Sequence, residues 1–312
     1  MITTAFVLGA GLGTRLRPLT DVRPKPLIPV CNKPLIAYAF DHLLAHGVER
    51  FVVNTHWRAD VFSEEFPKAS YRKAPIAFRH EAPEVLETAG GIKNVEDLLG
   101  NAPFLVYNGD ILCDFSLDAA IQAHFEAGNE VTLILRSKDG PLQIAFDEAS
   151  GRITDIGKRI NSESEPRFLF TGIYVVNPEF VARIPAGEKI SVIPLFLEMI
   201  RTGAKLGGIV CDDGHWWDLG TRAKYLAVHR HFAERPEIAA RPPWIAPDVQ
   251  IARDVELSGA TAIGAGARIG SGVRLHDSLV WPGAEIASGS NLQNCIVSGA
   301  SPVSGSHADA DL

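Results

Sequence analysis

A glycine-rich turn followed by basic residues is the first part of this sequence that could carry chemistry. The stretch VLGAGLGTRLRPLT, residues 7–20, contains three glycines and two arginines, at Gly9, Gly11, Gly13, Arg15 and Arg17. Because it lacks a Cβ, a glycine backbone can come close to phosphate oxygens and present its N–H groups to them. Lys25 follows between two prolines, which restrict the backbone that carries it. The turn and its cations therefore predict a site for a phosphate-bearing ligand.

This turn matches neither of the two commonest phosphate-binding motifs. A dinucleotide fingerprint, G-x-G-x-x-G, requires a third glycine where this chain has Thr14, and no acidic residue follows the second predicted strand. A P-loop requires a glycine at that same position and a lysine where the chain has Arg15. The turn is therefore interpreted as a phosphate-binding loop of another kind.

Two aspartates lie where they could hold a divalent cation. Asp110 directly follows Gly109 at the end of the apolar run in APFLVYNGD. Asp218 lies in GHWWDLGT, just before a predicted helix, where an aspartate on its own is more often a turn or capping residue. Magnesium prefers oxygen ligands and is usually held by one or two carboxylates together with substrate phosphates. The two aspartates are thus candidate magnesium ligands.

Short apolar runs alternate with amphipathic stretches over residues 1–234. TAFVLGA and RFVVNTH are typical of strands, whereas PLIAYAFDHLLAHGV has helical spacing and ends at a glycine. This alternation predicts an α/β domain with a mostly parallel sheet that is covered by helices on both faces. In such sheets ligands bind at the carboxyl ends of strands, where both the glycine turn and Asp110 are expected to lie.

A six-residue repeat begins after the break RPPWIAP. Aliphatic residues recur at Ile245, Ile251, Leu257, Ile263, Ile269 and Leu275 and, after one five-residue step, at Val280, Ile286 and Leu292. Small residues fill the intervals, as the corners of a parallel β-helix require. The repeat predicts a short β-helix of roughly three coils over residues 245–304, joined through a linker at 235–244. The last residues, 305–312, are expected to fray.

The composition argues against several classes of protein. The chain has 312 residues, 46% of them hydrophobic, and its formal net charge of −7 argues against binding nucleic acid by general phosphate attraction. It has no apolar run of about 18 residues that would predict a membrane span. Its four cysteines are scattered without a C-x-x-C pair, so neither a disulfide framework nor a zinc site is expected and a reducing cytoplasm fits.

The string G-A-G-L-G-T-R-L-x-P-L-T, with P-K-P-L following it, resembles the signature of the sugar-1-phosphate nucleotidyltransferases, or NDP-sugar pyrophosphorylases. These enzymes join a nucleoside triphosphate to a sugar 1-phosphate and release pyrophosphate. The resemblance implies a Rossmann-like catalytic domain over residues 1–234, with a mostly parallel mixed sheet and with Mg²⁺ as cofactor. The six-residue repeat resembles the left-handed parallel β-helix that many members of the family carry.

The resemblance also assigns roles to the residues that match the family's motifs. The loop that wraps the triphosphate corresponds to Leu8, Gly9, Ala10, Gly11, Gly13, Thr14 and Arg15. Arg15 would neutralise charge on the phosphates and Lys25 would position them, while Asp110 and Asp218 would hold the magnesium ion. The histidine and the tryptophans of GHWWDLGT are expected to pack and position rather than to bind metal.

Two further stretches resemble the parts of the family that bind the base and the sugar. EVLETAGGI matches the segment at the nucleobase and ribose, with Glu87, Thr88, Gly90 and Gly91 as candidates, and Thr88 would also suit a helix cap. The sugar candidates are Asn108, Gly172 in LFTGIYVV, and Glu188 and Lys189 in GEKIS. Many members carry an E-K-P motif before the G-I-Y strand. This chain reads DIGKRINSESEP there, so Lys158 or a mobile loop would have to replace the motif.

Two groups of enzymes are candidates for the base and the sugar, and the group that uses GTP is preferred. A compact core joined to a short β-helix favours GTP with mannose or heptose 1-phosphate, whereas LETAGGI resembles enzymes that use UTP and N-acetylmuramate 1-phosphate. A further alternative is a catalytically silent regulatory subunit. Such a protein could lose its charged site residues, but this chain keeps all four, at Arg15, Lys25, Asp110 and Asp218. An acyltransferase β-helix would rely on His276, and three coils are short for that activity. The β-helix is instead expected to assemble homo-oligomers through its end coils.

Overall fold

A computed structural model of the chain describes residues 1–235 and 244–312. The predicted linker, 235–244, lies outside these described residues apart from its two ends. Within the described ranges, no helix is both long enough and apolar enough to cross a membrane.

The described residues form two compact units that do not follow the predicted boundary at residue 234. The first unit comprises Met1–Leu12 and Ile36–Asp218, and the second comprises Gly13–Leu35 and Leu219–Leu312. The boundary differs because the stretch after the glycine turn is hydrogen-bonded to a helix at Arg222–Ala233 and to the β-helix.

The part of the chain before the β-helix alternates strands with helices. Its strands are β1 (Thr4–Leu8), β2 (Pro29–Val30), β3 (Lys33–Pro34), β4 (Arg50–Thr55), β5 (Ser70–Tyr71), β6 (Ala74–His80), β7 (Phe104–Asn108), β8 (Ile111–Cys113), β9 (Val131–Arg136), β10 (Ile144–Asp147), β11 (Arg152–Ile156), β12 (Leu169–Val176), β13 (Leu206–Val210) and β14 (Trp216–Asp218). Its α-helices are α1 (Leu19–Val22), α2 (Leu35–Ala45), α3 (Ala59–Glu65), α4 (Glu87–Asn94), α5 (Glu96–Leu99), α6 (Asp118–Glu126), α7 (Pro178–Ala182), α8 (Val192–Thr202) and α9 (Arg222–Ala233). Short 3₁₀ helices follow the glycine turn at Thr14–Leu16 and Lys25–Leu27.

A mixed sheet of ten strands runs through the described residues of the first unit, in the order β10-β11-β13-β9-β12-β7-β1-β4-β6-β5. β1 pairs in parallel with β4 and with β7, while β12 is antiparallel to its neighbours β7 and β9. The sequence TAFVL of β1 is almost wholly buried, as a strand covered on both faces requires. The predicted α/β fold with a mostly parallel sheet is confirmed.

Helix boundaries in the first unit follow local sequence signals. The Ser191 hydroxyl accepts a hydrogen bond from the N–H of Ile193 and caps α8 at its start. Gly203, in the left-handed conformation with φ 72°, ends that helix. The apolar face of α8 then packs on the sheet through Phe196, within a core that also contains Phe6, Val106, Leu133 and Tyr174. Burial of these side chains holds the strand ends in place.

The β-helix predicted from the six-residue repeat is present in the second unit. Its strands are β15 (Gln250–Ile251), β16 (Glu256–Ser258), β17 (Ala262–Ile263), β18 (Arg268–Ile269), β19 (Arg274–His276), β20 (Leu279–Val280), β21 (Glu285–Ile286), β22 (Asn291–Gln293), β23 (Ile296–Val297) and β24 (Ser306–Ala308). They form three parallel sheets, β15-β18-β21, β16-β19-β22-β24 and β17-β20-β23. Ile251 pairs with Ile269, 18 residues later, and Ile269 pairs with Ile286, 17 residues later, so each coil returns to the same side after three sides, one of which is five residues long in the second coil.

The expectation that residues 305–312 fray is wrong. β24 pairs in parallel with β22, and Asp311 forms a bridge with Ile296. Ala310 and Leu312 pack against the β-helix core, and the Leu312 N–H donates to the Ile296 carbonyl at 2.8 Å. The end of the chain is ordered because it completes a further coil beyond the predicted three.

Candidate active site

Three parallel strands of the first unit end close together, and the candidate nucleotide loop follows the central one, β1. In the register of the sheet, Leu8 at the end of β1 pairs with Asn54 on β4 and with Asn108 on β7. Gly9, Ala10 and Gly11 follow directly. A ligand at the carboxyl edge of this sheet would therefore meet the glycine turn between two asparagines.

A buried network holds the start of this turn. The Gly9 N–H donates to Oδ1 of Asn54 at 2.7 Å, and Nδ2 of Asn54 donates to Oε1 of Glu81 at 2.7 Å. The other carboxylate oxygen of Glu81 accepts the N–H of Leu86 at 2.8 Å. Neither Asn54 nor Glu81 was predicted from the sequence, although Asn54 ends an apolar run in the same way as Asn108. The network ties the glycine turn to the segment that precedes α4.

The glycines of the turn differ in what surrounds them. A Cβ at Gly9 would lie 2.6 Å from the Asn54 carbonyl oxygen, and a Cβ at Gly109 would lie 2.5 Å from the Leu8 carbonyl oxygen. A Cβ at Gly11 would have no protein atom within 4 Å. Packing within the unit therefore requires glycine at Gly9 and Gly109, whereas only an external ligand would require it at Gly11.

The segment expected at the nucleobase begins α4. A Cβ at Gly90 would lie 2.4 Å from the Glu188 carbonyl oxygen, and a Cβ at Gly91 would lie 2.9 Å from Nδ2 of Asn54. Close packing therefore requires glycine at both positions, in addition to their predicted role at the base. Glu87 opens the helix in the left-handed conformation, with φ 61°. The Thr88 hydroxyl does not cap α4 but accepts the N–H of Val192 at 2.8 Å, at the start of α8.

The structure places the sugar candidates in two groups within the first unit. Gly172 lies in an irregular part of β12 with φ 79°, and a Cβ there would lie 2.5 Å from Nδ2 of Asn108. The Lys189 ammonium forms a salt bridge of 3.0 Å with Glu84, and the backbone of Glu188 lies against α4. Glu188 and Lys189 are therefore neighbours of the predicted base segment, and Asn108 and Gly172 are neighbours of each other.

The loop that replaces the E-K-P motif is organised by Asp155. Its buried carboxylate accepts the N–H groups of Arg159 and Asn161 at 2.8 Å each and the Ser164 hydroxyl at 2.9 Å. Burial acts to raise the pKa of Asp155, but these hydrogen bonds outweigh it and the pKa is lowered. Lys158 is exposed at a left-handed position of this loop, with φ 58°. The segment in place of the motif is thus a loop hydrogen-bonded around one carboxylate, and the replacement of the motif by Lys158 or by movement of this loop stays a prediction.

The two candidate metal ligands lie together on a short antiparallel ribbon formed by β8 and β14. Asp218 is the register partner of Ile111, the residue directly after Asp110. The indole N–H of Trp216 donates to the Thr171 carbonyl at 3.0 Å, and His215 bonds Asp114 at 3.0 Å, so these two flanking residues anchor the ribbon. The pairing of β8 with β14 therefore brings the backbone next to Asp110 alongside Asp218, although the two residues are almost 110 positions apart in the sequence.

The donor set of this ribbon fits magnesium. The described residues contain no cluster of three or more histidine, cysteine or acidic side chains suited to a metal. A pair of aspartates is below that number and leaves coordination positions for phosphate oxygens and water, as magnesium sites in phosphoryl-transfer enzymes usually do. Hard carboxylate oxygens on a rigid ribbon are the ligands that such a site needs.

A buried polar cluster supports the ribbon from the helix side. Nδ1 of His42 on α2 lies 3.1 Å from the Tyr107 hydroxyl, and Nε2 lies 2.7 Å from the Phe115 carbonyl oxygen. The Tyr107 hydroxyl also lies 2.9 Å from the Cys113 thiol on β8. Burial lowers the pKa of His42 to about 4 and raises the pKa of Cys113 to about 12. Both groups are therefore neutral and structural, and the thiol is not a nucleophile.

The remaining phosphate-loop candidates belong to the second unit. Gly13 has φ 61°, and its carbonyl accepts the Thr20 hydroxyl at 3.0 Å. A Cβ at Gly13 would lie 3.0 Å from the Lys25 Cβ, and a Cβ at Gly220 would lie 2.8 Å from Nη2 of Arg15. Glycine in the DLGT sequence thus lets the Arg15 guanidinium lie against the backbone that leads into α9, a contact that the sequence analysis did not predict. Thr14 opens the first 3₁₀ helix.

The tail offers no support for an acyltransferase site. His276 is exposed on β19 and its Nδ1 lies 2.9 Å from the hydroxyl of Ser258 on the next rung. The two residues are register partners in a column along one side of the β-helix. A polar contact between neighbouring rungs accounts for the position of His276.

Comparison with known proteins defines the class of this chain. The model of the nucleotidyl transferase family matches residues 4–235, which include the glycine turn, both aspartates and α9. The chain therefore belongs to the nucleotidyl transferase family, as the glycine signature predicted.

Two curated relatives represent the two substrate groups. An N-acetylmuramate alpha-1-phosphate uridylyltransferase of Caulobacter vibrioides is 36% identical over 244 residues, which cover 74% of this chain and 97% of that protein. A mannose-1-phosphate guanylyltransferase of Mycobacterium tuberculosis is 31% identical over 222 residues, which cover 70% of this chain and 61% of that protein. The inositol-1-phosphate CTP transferase of T. maritima has the same fold, with a TM-score of 0.61 at 22% identity over 72% of this chain and 91% of that one.

Proposed function

We propose that this protein transfers a nucleotidyl group from a nucleoside triphosphate to a sugar 1-phosphate and releases pyrophosphate. The observation that carries the proposal, in a chain of this family, is the β8–β14 ribbon, because β8 begins directly after Asp110 and pairs with β14 at Asp218. Both substrates are polyanions, so the obstacles to reaction are repulsion and orientation more than bond making. The candidate residues address these two obstacles.

Each charged residue has a distinct proposed task. Asp110 and Asp218 would hold a magnesium ion, whose charge would offset that of the phosphates when it is bound. Arg15 would neutralise the departing pyrophosphate, and Lys25 would orient the reacting phosphates. The attacking oxygen belongs to a phosphate that is already ionised, so no protein nucleophile is needed. This fits the neutral, buried state of Cys113.

The turn at the end of β1 would receive the triphosphate through backbone N–H groups. The Asn54–Glu81 network holds the first of its glycines and the start of α4 in one arrangement. A loop that is already in place loses less conformational entropy on binding, so the network would favour a preorganised nucleotide site. The asparagines that flank the turn, Asn54 and Asn108, have separate tasks: Asn54 supports the loop and Asn108 would face the sugar beside Gly172.

UTP with N-acetylmuramate 1-phosphate is the substrate pair that we now favour. The relative named for that reaction is 36% identical over 97% of its own length, which corresponds to 74% of this chain. The second candidate is GTP with mannose or heptose 1-phosphate, which the sequence analysis preferred because of the β-helix. The guanylyltransferase match covers 61% of that relative and supports this second pair less strongly.

A substrate matrix would test the reaction and the substrate choice together. UTP, GTP, ATP, CTP and dTTP would each be combined with 1-phosphates of N-acetylmuramate, mannose, heptose and glucose, with magnesium, and pyrophosphate release would be measured. We expect turnover with UTP and N-acetylmuramate 1-phosphate above all other pairs. A preference for GTP and mannose 1-phosphate would overturn the substrate choice only. No release from any pair would contradict the proposed reaction and favour a silent regulatory protein.

A further inference from the structure

A tight hairpin follows Lys25 in the second unit. β2 and β3 pair through Val30 and Lys33, and the turn between them consists of Cys31 and Asn32. Both turn residues are left-handed, with φ 46° and φ 61°. Two consecutive residues other than glycine in this conformation are costly, and such a turn persists when surrounding contacts specify it.

The Asn32 side chain fastens the tip of this hairpin to the β-helix. Its amide Nδ2 donates to the Ile263 carbonyl at 2.8 Å and to the Trp244 carbonyl at 3.2 Å. The two carbonyls belong to adjacent rungs, since the Ile263 N–H donates to the Trp244 carbonyl at 2.6 Å. The amide therefore donates to two adjacent rungs at the start of the β-helix.

α9 holds the other side of the hairpin. The Cys31 N–H donates to Nε2 of His229 at 3.1 Å, and the Tyr225 hydroxyl donates to the Pro29 carbonyl. The same hydroxyl accepts the indole N–H of Trp281, on the β-helix, at 3.1 Å. Nδ1 of His229 donates to the Tyr225 carbonyl at 2.8 Å, which leaves Nε2 as the acceptor. Burial lowers the pKa of His229 to about 4, so this tautomer stays neutral at physiological pH.

Lys25 is buried and lies only a few residues before the hairpin at residues 29–34. It opens the 3₁₀ helix Lys25–Leu27, whose end continues directly into β2. The Leu35 N–H closes the hairpin onto the Ile28 carbonyl at 3.0 Å. The Ile28 N–H also donates to the Lys25 carbonyl at 3.2 Å. Because the lysine backbone, the 3₁₀ helix and the hairpin are consecutive and linked by these hydrogen bonds, we expect a shift at the tip to displace the lysine.

We propose that the β-helix positions Lys25 for catalysis through its hydrogen bonds to the hairpin at residues 29–34. Asn32 is the positioning residue of this contact. The proposal gives the tail a part in turnover in addition to assembly. It depends on the proposed function for the role of Lys25, whereas the contact itself does not. Because correct placement of a reacting group can be worth about 100-fold in rate per ångström, a small movement of the hairpin would be measurable.

The test compares Asn32→Gly with Asn294→Gly in the full-length protein. Glycine adopts the left-handed conformation readily, so Asn32→Gly removes the amide and leaves the turn. Asn294 is a matched control because it is also left-handed, with φ 53°, and its side chain bonds Arg230 and Asp309 without contacting the hairpin. The readouts are kcat and KM for both substrates, and hydrogen exchange of peptides that span residues 19–35. Tyr225→Phe, which removes the other link to the β-helix, is the second variant.

We expect Asn32→Gly to lower kcat roughly tenfold or more with little change in either KM, and to raise hydrogen exchange over residues 25–34. Tyr225→Phe should change both readouts in the same direction, and Asn294→Gly should match the wild type in both. Raised exchange with an unchanged kcat would overturn the link to catalysis. Unchanged hydrogen exchange in both Asn32→Gly and Tyr225→Phe would show that these contacts with the β-helix do not hold the hairpin in place. A wild type that releases no pyrophosphate would contradict the proposed function, and hydrogen exchange would still decide whether the hairpin is held.

Discussion

At the scale of single residues, the glycines around the nucleotide loop separate into two kinds. Those at Gly9, Gly90, Gly91 and Gly109 lie so close to other protein atoms that a Cβ would collide with them. A Cβ at Gly11, by contrast, would have no protein atom within 4 Å. The first kind is required by the fold, and the second kind is expected to matter only when a ligand is bound.

Gly11→Ala is therefore expected to weaken nucleotide binding without affecting stability. The alanine methyl group would meet no protein atom, but it would stand in the way of a phosphate that approaches the backbone closely. We expect the Kd for the triphosphate to rise about tenfold or more, equivalent to about 1.4 kcal/mol, in isothermal titration calorimetry. Thermal unfolding should be unchanged. Gly299→Ala in the β-helix, where a Cβ would make only an ordinary contact at 3.6 Å, is the control. Unaltered triphosphate binding in Gly11→Ala would show that the backbone there does not contact the ligand.

The two aspartates of the ribbon give the sharpest test of the proposed reaction. Asp110→Asn and Asp218→Asn each remove a charge while keeping the shape of the side chain. We expect each to lower magnesium-dependent kcat by roughly 10²–10³-fold or more and to leave the melting temperature close to that of the wild type. Asp118→Asn, at the exposed start of α6, should retain activity. Retained turnover in either ribbon variant would remove that aspartate from the metal site.

At the scale of elements, buried histidines join helices to the parts that carry the site. His42 links α2 to the strands around the ribbon, and His229 links α9 to the hairpin after Lys25. Burial lowers the pKa of each to about 4, compared with about 6.5 in an unfolded chain. Both histidines are therefore neutral in the folded protein over a pH range in which the unfolded chain binds protons.

Acidification is expected to destabilise the protein between about pH 6.5 and pH 4. In that window the unfolded state binds more protons than the folded state, so the free energy of unfolding falls as the pH falls, by up to about 1.4 kcal/mol per pH unit for each histidine. Urea denaturation midpoints at pH 7, 6 and 5 would measure the trend. His42→Gln should reduce the slope because it removes one of the buried histidines whose pKa is lowered in the folded protein. Equal midpoints at pH 7 and pH 5 in the wild type would contradict this prediction.

At the scale of the whole molecule, the β-helix is the feature with two proposed roles. Its final rung, β24, pairs with β22 along one edge, and a second copy could cover the end coils. The same β-helix supplies the partners of the hairpin after Lys25. Assembly and positioning would thus both depend on residues 244–312.

Deletion of residues 244–312 is expected to lower the oligomeric state and the activity together. The deletion would remove the proposed assembly surface and also the carbonyls that Asn32 binds. Light scattering would give the mass of the full-length and shortened chains, and pyrophosphate release would give their turnover. Circular dichroism would show whether the α/β unit remains folded. An unchanged mass per particle would count against assembly through the β-helix.

Much of the architecture could be predicted because it is encoded in local patterns. Alternating runs identified the parallel sheet, and the six-residue period identified the β-helix. Thr221, a residue type that favours helix starts, caps α9, and its hydroxyl accepts the Lys224 N–H. Asp110 after a strand and the glycine turn were recognisable for the same reason. Each of these signals lies within a few neighbouring residues, where backbone geometry depends on residue type.

Only the tertiary structure decided what those elements contact. The Asn54–Glu81 network, the packing reason for Gly90 and the grip of Asn32 on the β-helix all join residues far apart in the chain. The ordered end at residues 305–312 and the placement of residues 13–35 with the tail also depend on such contacts. An isolated asparagine or glycine is the same in a sequence whether it faces water, a ligand or a buried carboxylate. Its role is set by the hydrogen-bond partner that folding brings to it, and the local sequence holds no record of that partner.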